Sequence, residues 1–382
     1  MLTRNQLRSK FEREIVFAGL IFMIATITEG AEDRHIILKV VGTNNQALAD
    51  AKVYQHYTIR DGNQLGKEYT SDQNGLISLA EPAIFKNEWQ RKGVTLFGLY
   101  ENNLAGFVNV NADNLGKEIE MKLTPACRIY GQLKSTELTD LGRQVAWTSV
   151  YVLREQDQVM LYSGTKRDFE FLLPVGDYSL YAYGERLYGK EEHITVTDGQ
   201  KELQRIIDLP ADRLSHLIGK EAPKLQKIKG WINSKPMKLS NLRGKVVLLD
   251  FWGTWCGPCI AAIPKLIDLH EKYHDRGLVI IAVHDDSKDS VKELKKEIEK
   301  LSKERWENKK IPFAVALDGG GNSNIEGTQR TARGATTASY GINAFPTMVL
   351  IDRQGRIVDQ FYPGESNELL EKLLTADVDN KP

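Results

Sequence analysis

The sequence predicts a multidomain protein in which two all-β sandwich modules precede a C-terminal α/β domain. A length of 382 residues exceeds what one core usually holds, so two or three domains are expected. Residues 32–212 carry short apolar runs separated by Asn, Asp and Gly without helical periodicity, which is typical of sandwich strands. After residue 212 the predicted strands alternate with helices, as in an α/β core.

The N-terminus, residues 1–31, has the pattern of an export signal. Four basic residues precede an apolar run at residues 15–27. This run is shorter than the about 20 residues of a membrane span, but long enough for the apolar part of a secretory signal. We therefore expect an exported, periplasmic or cell-envelope protein. The alternatives are an uncleaved N-terminal membrane anchor and a buried helix of a cytosolic domain.

The β-rich region divides into two stretches, residues 32–124 and 125–212. The predicted strands are HIILKVVG, AKVYQHYTIR, VTLFGLY, GFVNVNA and EIEMKLT in the first, and CRIYGQL, TSVYVLR, DFEFLLPVGDYSLYAYG and EEHITVTDG in the second. The phrases GTNNQALADAKVY, TSDQNGLISL and FEFLLPVGDYSLYAYG resemble carboxypeptidase-regulatory-like modules, sandwiches of immunoglobulin or transthyretin-like type. This resemblance implies a scaffold or binding role rather than chemistry.

Residues 213–382 form the predicted α/β domain, with strands at KVVLLDFW, LVIIAVH, PFAVALD, TMVLIDR and RIVDQF and a last helix at ESNELLEKLLTA. Its charged stretch, residues 287–310, is predicted to be a solvated amphipathic helix, because apolar residues recur at helical spacing and acids match the lysines. Since the chain also carries 51 basic and 51 acidic residues, no nucleic-acid partner is expected. The glycine run DGGGNSNIEG lacks the Gly-Lys-Ser/Thr ending of a phosphate-binding loop and is predicted to be a flexible insertion.

Two of the three cysteines, Cys256 and Cys259, lie in VVLLDFWGTWCGPCIAAIP, a spacing that serves either a metal ion or a redox reaction. With His270 and His274 the pair superficially matches a zinc site. However, Pro258 and the apolar spacing after it predict one helix that carries both Cys259 and His270, and the intervening residues separate these two by ~16 Å. The sequence therefore predicts no metal site and no cofactor.

The redox interpretation is supported by the predicted secondary structure around the pair. An apolar strand at residues 246–252 leads into a short turn, and Cys256 falls at the start of the following helix, where free N–H groups and the helix dipole stabilise a thiolate. Cys259, one turn later on the same face, can resolve a mixed disulfide on Cys256. With only three cysteines in an exported chain, a structural disulfide framework is not expected.

These residues also carry a family resemblance. DFWGTWCGPC is similar to the thioredoxin active site, and GKEAP, LSNLRGKVVLLDFW and YGINAFPTMVLIDRQGRIV resemble the exported TlpA/ResA-like thiol-disulfide oxidoreductases of the thioredoxin family. The resemblance implies a thioredoxin fold for residues 213–382. It makes Cys256 the nucleophile and Cys259 the resolving thiol of a redox-active disulfide.

The resemblance implies further site residues. Trp255 would flank the disulfide, Pro346 would be a cis-proline facing it, and the backbone at Phe345 would pair with an extended substrate. Asp250 falls where thioredoxin has a buried acid that shuttles a proton to the resolving thiol, and burial on an apolar strand should raise its pKa. One position departs from the family: many members carry a Glu three residues after the second cysteine, where this chain has Ala262.

Several of these residues also have a simpler structural interpretation. Asp250 could be a strand acid that only forms hydrogen bonds, Trp252 and Trp255 could be packing aromatics, and Pro346 could be an ordinary trans proline. Cys127, in a strand-like run of the second β module, is interpreted as a buried apolar residue.

The sequence thus predicts an exported thiol-disulfide oxidoreductase that acts on disulfide-containing protein substrates as a reductant. Its electron donor would be a membrane or extracytoplasmic thiol. Two other functions are compatible with the sequence: a thiol peroxidase of related fold with antioxidant activity, and a cell-surface binding or scaffold protein in which the redox domain is secondary.

Overall fold

The computed structural model describes residues 35–155 and 157–376. These residues form two compact units, divided between Pro210 and Ala211. The predicted export signal or anchor, residues 1–31, lies outside the described residues. Within the described ranges, no helix combines the length and the apolar character that crossing a membrane requires.

The first unit is built almost entirely from strands, as predicted. They are β1 (His35–Val41), β2 (Lys52–Arg60), β3 (Asn63–Thr70), β4 (Leu76–Ala80), β5 (Val94–Tyr100), β6 (Leu104–Val110), β7 (Glu118–Lys122), β8 (Thr124–Lys134), β9 (Thr148–Arg154), β10 (Asp157–Gly164), β11 (Asp168–Pro174), β12 (Gly176–Gly184), β13 (Lys190–Val196) and β14 (Glu202–Asp208). Its helices are short: α1 (Glu81–Ile84), α2 (Glu88–Lys92), α3 (Thr136–Asp140) and a 3-10 turn at Ala112–Asn114.

These strands form a small and a large sheet. The small sheet has the order β4-β1-β7, and the large one runs β11-β8-β6-β5-β2-β10-β9-β12-β13, with β14 on β8 and β3 on β2. β8 spans the predicted module boundary at residues 124 and 125, and β2 pairs in parallel with β10 from beyond it. Because strands from both stretches share one sheet, the division into two sandwiches stays a prediction. Cys127 on β8 is completely buried, which confirms its interpretation as a core residue.

The second unit alternates strands and helices. The strands are β15 (Gly230–Ile232), β16 (Val246–Trp252), β17 (Leu278–His284), β18 (Ala314–Leu317), β19 (Asn322–Asn324), β20 (Thr331–Arg333), β21 (Thr347–Ile351) and β22 (Ile357–Gln360). The helices are α4 (Arg213–Leu217), α5 (Gly257–Tyr273), α6 (Val291–Arg305), α7 (Ala335–Ser339) and α8 (Asn367–Thr375), with 3-10 turns at Leu239–Leu242 and His274–Arg276.

A six-stranded mixed sheet of order β15-β18-β17-β16-β21-β22 forms the centre of this unit. β16 is parallel to β17 and antiparallel to β21, and all seven of its residues are buried. Because side chains alternate along a strand, Leu248 and Trp252 pack with α5, α6 and α8 on one face, whereas Leu249 and Phe251 pack with α4 and the residues around α7 on the other. The layered α/β arrangement predicted for this region is confirmed.

The charged stretch forms α6, as predicted. Ser290 caps the helix by accepting the backbone N–H of Glu293 at 3.2 Å. Leu294 and Ile298, four residues apart, are the buried apolar positions. The lysines and the other glutamates of the helix are exposed, whereas Glu297 is partly buried.

The glycine run was predicted to be a flexible insertion, but part of it forms the β19–β20 hairpin. The hairpin is tied down at its base, where the backbone N–H of Gly321 donates to Asp286 Oδ2 at 2.6 Å. Ile325, in the loop between its strands, is completely buried. The prediction missed this element because it considered the glycines and not the single apolar residue that anchors the loop.

Asp318 fixes the start of α7, the helix that precedes the loop of Pro346. Its buried carboxylate accepts the backbone N–H groups of Gly319, Thr336 and Thr337 and the Thr337 hydroxyl, at 2.8–3.1 Å. Gly334 has φ +118°, and a Cβ there would lie 2.2 Å from Asp318 Oδ2. A side chain at this position would therefore break the cap.

We expect Gly334→Ala to destabilise the protein by at least about 2 kcal/mol more than Gly327→Ala. Gly327 also has positive φ, +78°, but has open space around its Cβ position, so it reports the backbone strain alone. Urea unfolding of both variants measures the difference. Equal losses would show that the contact between Gly334 and Asp318 does not constrain the fold.

Candidate active site

Strand β16 is followed by a short turn that leads to Cys256 and then to Cys259 in the first turn of α5. The turn closes with a hydrogen bond from the Cys256 N–H to the Gly253 carbonyl at 3.0 Å. A Cβ at Gly253 would lie 2.4 Å from the indole nitrogen of Trp255, so glycine lets this indole lie close against the turn. The turn is thus compact, and the next residue begins a helix.

Cys256 and Cys259 are joined by a disulfide. Cys256 is the N-cap of α5, and its sulfur accepts the backbone N–H of Cys259 at 3.2 Å. When the pair is reduced, this N–H and the helix dipole stabilise a thiolate on Cys256. Cys256 is 5% exposed and Cys259 1%, and the adjacent Gly257 and Pro258 are exposed. Cys256 is therefore the more accessible of the two cysteines.

Asp250 lies on β16, two residues before the end of the strand and on the same face as Trp252. Its side chain is buried, and no hydrogen-bond partner within the described residues reaches its Oδ1. Its neighbours on the flanking strands are Ala282 and Met348, both apolar. This burial raises the pKa of Asp250 to about 7. The group can therefore hold or release a proton near neutral pH, and the alternative of a simply hydrogen-bonded strand acid does not fit its Oδ1.

The loop before β21 lies beside the turn. Thr347, the first residue of β21, is paired with Phe251, which places Pro346 next to the end of β16. The Phe345–Pro346 peptide bond is cis. The Phe345 ring contacts Trp255 edge-on, with centroids 5.4 Å apart, and Trp255 is 59% exposed. The exposed Trp255, next to Cys256 in the chain, thus contacts the partly buried Phe345, whereas Trp252 is a buried packing residue.

His284 and Asp285 bond to the turn from the end of β17, and neither residue was predicted from the sequence to belong to the site. Trp252 on β16 is paired with His284 at the end of β17. His284 Nε2 accepts the backbone N–H of Thr254 at 3.0 Å, and Asp285 Oδ2 accepts the indole N–H of Trp255 at 3.1 Å. The signal was present in the sequence, since polar residues that end adjacent parallel strands meet at one edge of a sheet.

Pro264 interrupts the hydrogen-bond ladder of α5, and Trp306 repairs it. Proline has no N–H, so the carbonyl of Ile260, four residues earlier, loses its helical partner. The indole N–H of Trp306, just beyond α6, donates to that carbonyl at 2.8 Å. Trp306 is buried, so the orphaned carbonyl is satisfied where water is excluded.

Cys259 and His270 lie on the single continuous helix α5, as the sequence predicted. His270 stacks on His274 with ring centroids 4.8 Å apart. In residues 35–155 and 157–376, no cluster of three or more His, Cys, Asp or Glu side chains could hold a metal ion.

Comparisons with known proteins concern the second unit. A family model described as Redoxin matches residues 217–376. The thiol-disulfide oxidoreductase ResA of Bacillus thuringiensis (strain Al Hakam) is 34% identical over 165 residues, which cover 43% of this chain and 80% of that protein. The protein DipZ of Mycobacterium bovis (strain ATCC BAA-935 / AF2122/97) is 48% identical over 66 residues, 16% of this chain and 10% of DipZ. The crystal structure of a thiol-disulfide isomerase from Corynebacterium glutamicum is 25% identical, with 41% of this chain and 98% of that chain covered and a TM-score of 0.32.

We expect Asp250→Asn to stabilise the oxidised protein increasingly as the pH rises. A folded-state pKa above the unfolded value means that the stability contribution of Asp250 is complete at low pH and is lost as the pH rises through about 7. Asparagine does not ionise, so the free energy of unfolding of the variant should exceed that of the wild type by an amount that grows between about pH 4 and 7 and levels off near 4 kcal/mol. Urea unfolding across this range measures it.

Asp318→Asn is the matched control for Asp250→Asn. Asp318 is also buried, but its carboxylate accepts several hydrogen bonds, so its replacement should destabilise the protein at every pH. A pH-independent effect of Asp250→Asn would contradict the raised pKa of Asp250.

We expect Trp306→Phe to lower the free energy of unfolding by about 1–2 kcal/mol more in the wild-type protein than in the Pro264→Ala variant. In that variant the alanine supplies the N–H that the Ile260 carbonyl lacks, so the Trp306 indole is no longer needed as a donor. Urea unfolding of the wild type, the two single variants and the double variant gives this difference as a double-mutant cycle. Additive effects would show that the Trp306 indole does not compensate for Pro264.

Proposed function

The chain belongs to the ResA-like thiol-disulfide oxidoreductases, and on this premise we propose that Cys256 and Cys259 exchange a dithiol for a disulfide with protein substrates. The observation that carries the proposal is the disulfide itself. It joins a helix N-cap cysteine to a buried partner one turn later, with the exposed Trp255 beside it. Catalysis by such a pair needs one attacking thiolate and one resolving thiol. Cys256, at the helix N-cap, suits the attacking role, and the more deeply buried Cys259 suits the resolving role.

In the reducing direction, the Cys256 thiolate attacks one sulfur of a substrate disulfide. A Cys256–substrate mixed disulfide forms, and the other substrate sulfur leaves as a thiolate that takes up a proton. Cys259 then loses its proton and attacks the Cys256 sulfur, which forms the Cys256–Cys259 bond and releases the second substrate thiolate. The substrate gains two electrons and two protons, and the pair is oxidised.

Asp250 supplies the base for the second step. Cys259 is buried, so its thiol cannot readily pass its proton to bulk water. A carboxylate whose pKa is raised to about 7 accepts a proton more readily than an ordinary aspartate. Ala262, which replaces the glutamate of many family members, offers no competing base, so proton transfer depends on Asp250.

Substrate binding involves the surface formed by Trp255, Phe345 and Pro346. The two aromatic rings provide an apolar contact, and the backbone at Phe345 provides hydrogen-bonding groups for an extended peptide. An unfolded or flexible segment with a disulfide fits such a surface better than a rigid globular face does.

The direction of the reaction and the compartment are further parts of the proposal. Gly257 and Pro258 form the dipeptide of thioredoxin, which supports action as a reductant. The apolar run at residues 15–27 supports export to the periplasm or cell envelope, with or without a retained N-terminal anchor. A reductant in an oxidising space needs a membrane or extracytoplasmic thiol donor to regenerate it. The strand-rich first unit would act as a binding or scaffold region.

We expect reduced Cys259→Ser to form a stable covalent adduct with a disulfide substrate such as insulin, because the mixed disulfide on Cys256 has lost its resolving thiol. Non-reducing electrophoresis and intact mass measure the adduct. Turnover of insulin with dithiothreitol should fall by about a thousandfold or more in either cysteine variant.

The control is the double variant Cys256→Ser, Cys259→Ser, which retains the buried Cys127 and should form no adduct. No adduct on Cys259→Ser, together with no insulin reduction by the wild type, would reject the exchange function. Consumption of peroxide by the same wild-type protein would then indicate a thiol peroxidase.

A further inference from the structure

His284 is buried at the end of β17, and both of its ring nitrogens have defined partners. Nε2 lies 3.0 Å from the backbone nitrogen of Thr254, and Nδ1 lies 2.8 Å from the carbonyl oxygen of Asp285. A backbone N–H can only donate and a carbonyl can only accept. Nε2 must therefore be unprotonated and Nδ1 must carry the hydrogen, which fixes a single neutral tautomer.

We propose that His284 is a positioning residue of the redox site, whose neutral imidazole holds the turn of residues 253–255 so that Cys256 and Trp255 are presented to a substrate disulfide. The proposal rests on the proposed function. Thr254 lies two residues before Cys256, and its N–H is the backbone group of the turn that bonds to a side chain outside it. Without an acceptor at Nε2, this N–H would be buried without a partner.

The residues around His284 reinforce the same turn. Trp252 packs edge-on against the imidazole with centroids 5.2 Å apart, and the following residue, Asp285, accepts the Trp255 indole N–H. The Thr254 hydroxyl also lies 3.3 Å from His284 Nε2. The backbone N–H and hydroxyl of Thr254 and the indole of Trp255 therefore all contact the two residues at the end of β17.

The charged groups that face His284 are Asp285 from its own strand end, Lys288 from the loop before α6, and Glu297 from α6. Lys288 and Glu297 form an ion pair, so their opposite charges largely offset each other at the imidazole. Burial lowers the pKa of His284 below its ordinary value. Protonation of Nε2 would place two N–H donors face to face at Thr254, so acid should loosen the turn.

His284→Leu and His284→Gln separate shape from hydrogen bonding. Leucine fills the space without an acceptor, whereas glutamine offers a carbonyl oxygen near the position of Nε2. In the reduced full-length protein, we expect His284→Leu to slow alkylation of Cys256 at neutral pH about tenfold and to raise the pH of thiolate formation by about one unit. His284→Gln should stay within about threefold of the wild type.

His274→Leu is the matched control, because it removes a histidine from the far end of α5 without touching the turn. It should leave the alkylation profile unchanged. Circular dichroism of each variant establishes that it is folded. If folded His284→Leu matches the wild type in rate and in pH profile, the positioning role is wrong.

A second measurement uses the unmodified protein in case His284→Leu does not fold. Nitrogen-15 NMR should show a neutral His284 with hydrogen on Nδ1, and a coupling across the hydrogen bond between Thr254 N and His284 Nε2. Acidification should abolish the coupling and slow Cys256 alkylation together. Absence of the coupling at neutral pH would overturn the proposal.

These readouts are independent of the substrate. If Cys259→Ser forms no adduct, the exchange function fails, whereas the alkylation profile and the coupling still decide whether His284 positions the turn. If the adduct forms but His284→Leu behaves as the wild type, only the positioning role fails.

Discussion

The turn between β16 and α5 must satisfy its own backbone groups while it brings a sulfur atom from a fully buried strand to the surface. The turn has few residues in which to do this, and each N–H that it leaves unpaired would cost about 1–3 kcal/mol. Its N–H groups therefore find partners in several places. Cys256 bonds to the Gly253 carbonyl, Thr254 to His284, and Cys259 to the Cys256 sulfur. Most of the polar contacts of the second unit near the disulfide follow from this requirement.

Two buried aspartates show how the same residue type serves opposite purposes in this unit. Asp318 accepts hydrogen bonds from three backbone N–H groups and a hydroxyl, and so fixes the start of α7. These bonds offset part of the effect of burial on its pKa. Asp250 has apolar neighbours instead, and its pKa rises to about 7. The first arrangement stabilises the fold, and the second costs stability at neutral pH but leaves a carboxyl group that can exchange a proton near pH 7.

Helix α5, which follows the turn, also contains a backbone group that lacks its usual partner and bonds to a side chain instead. Pro264 removes one N–H from α5 and leaves the Ile260 carbonyl without its helical partner, and the Trp306 indole replaces the missing donor. This bond links α5 to the residue just beyond α6. The end of α6 therefore supports the helix that carries the two cysteines.

Much of this protein could be predicted from local pattern, because local pattern fixes strands, helix starts and short motifs. β16, α5 and the positions of Cys256 and Cys259 were predicted from a single stretch of the sequence, and the buried state of Asp250 followed from its apolar neighbours on the same strand. The glycine run was the local failure, since one buried residue, Ile325, outweighed the loop composition around it. The interactions that tertiary structure decided join residues far apart in the chain: Thr254 with His284 across 30 positions, and Ile260 with Trp306 across 46. No periodicity encodes such pairs, because they depend on how the sheet and helices pack. The same reason explains why β2 and β10 of the first unit pair across the boundary that the two sets of predicted strands suggested at residues 124 and 125.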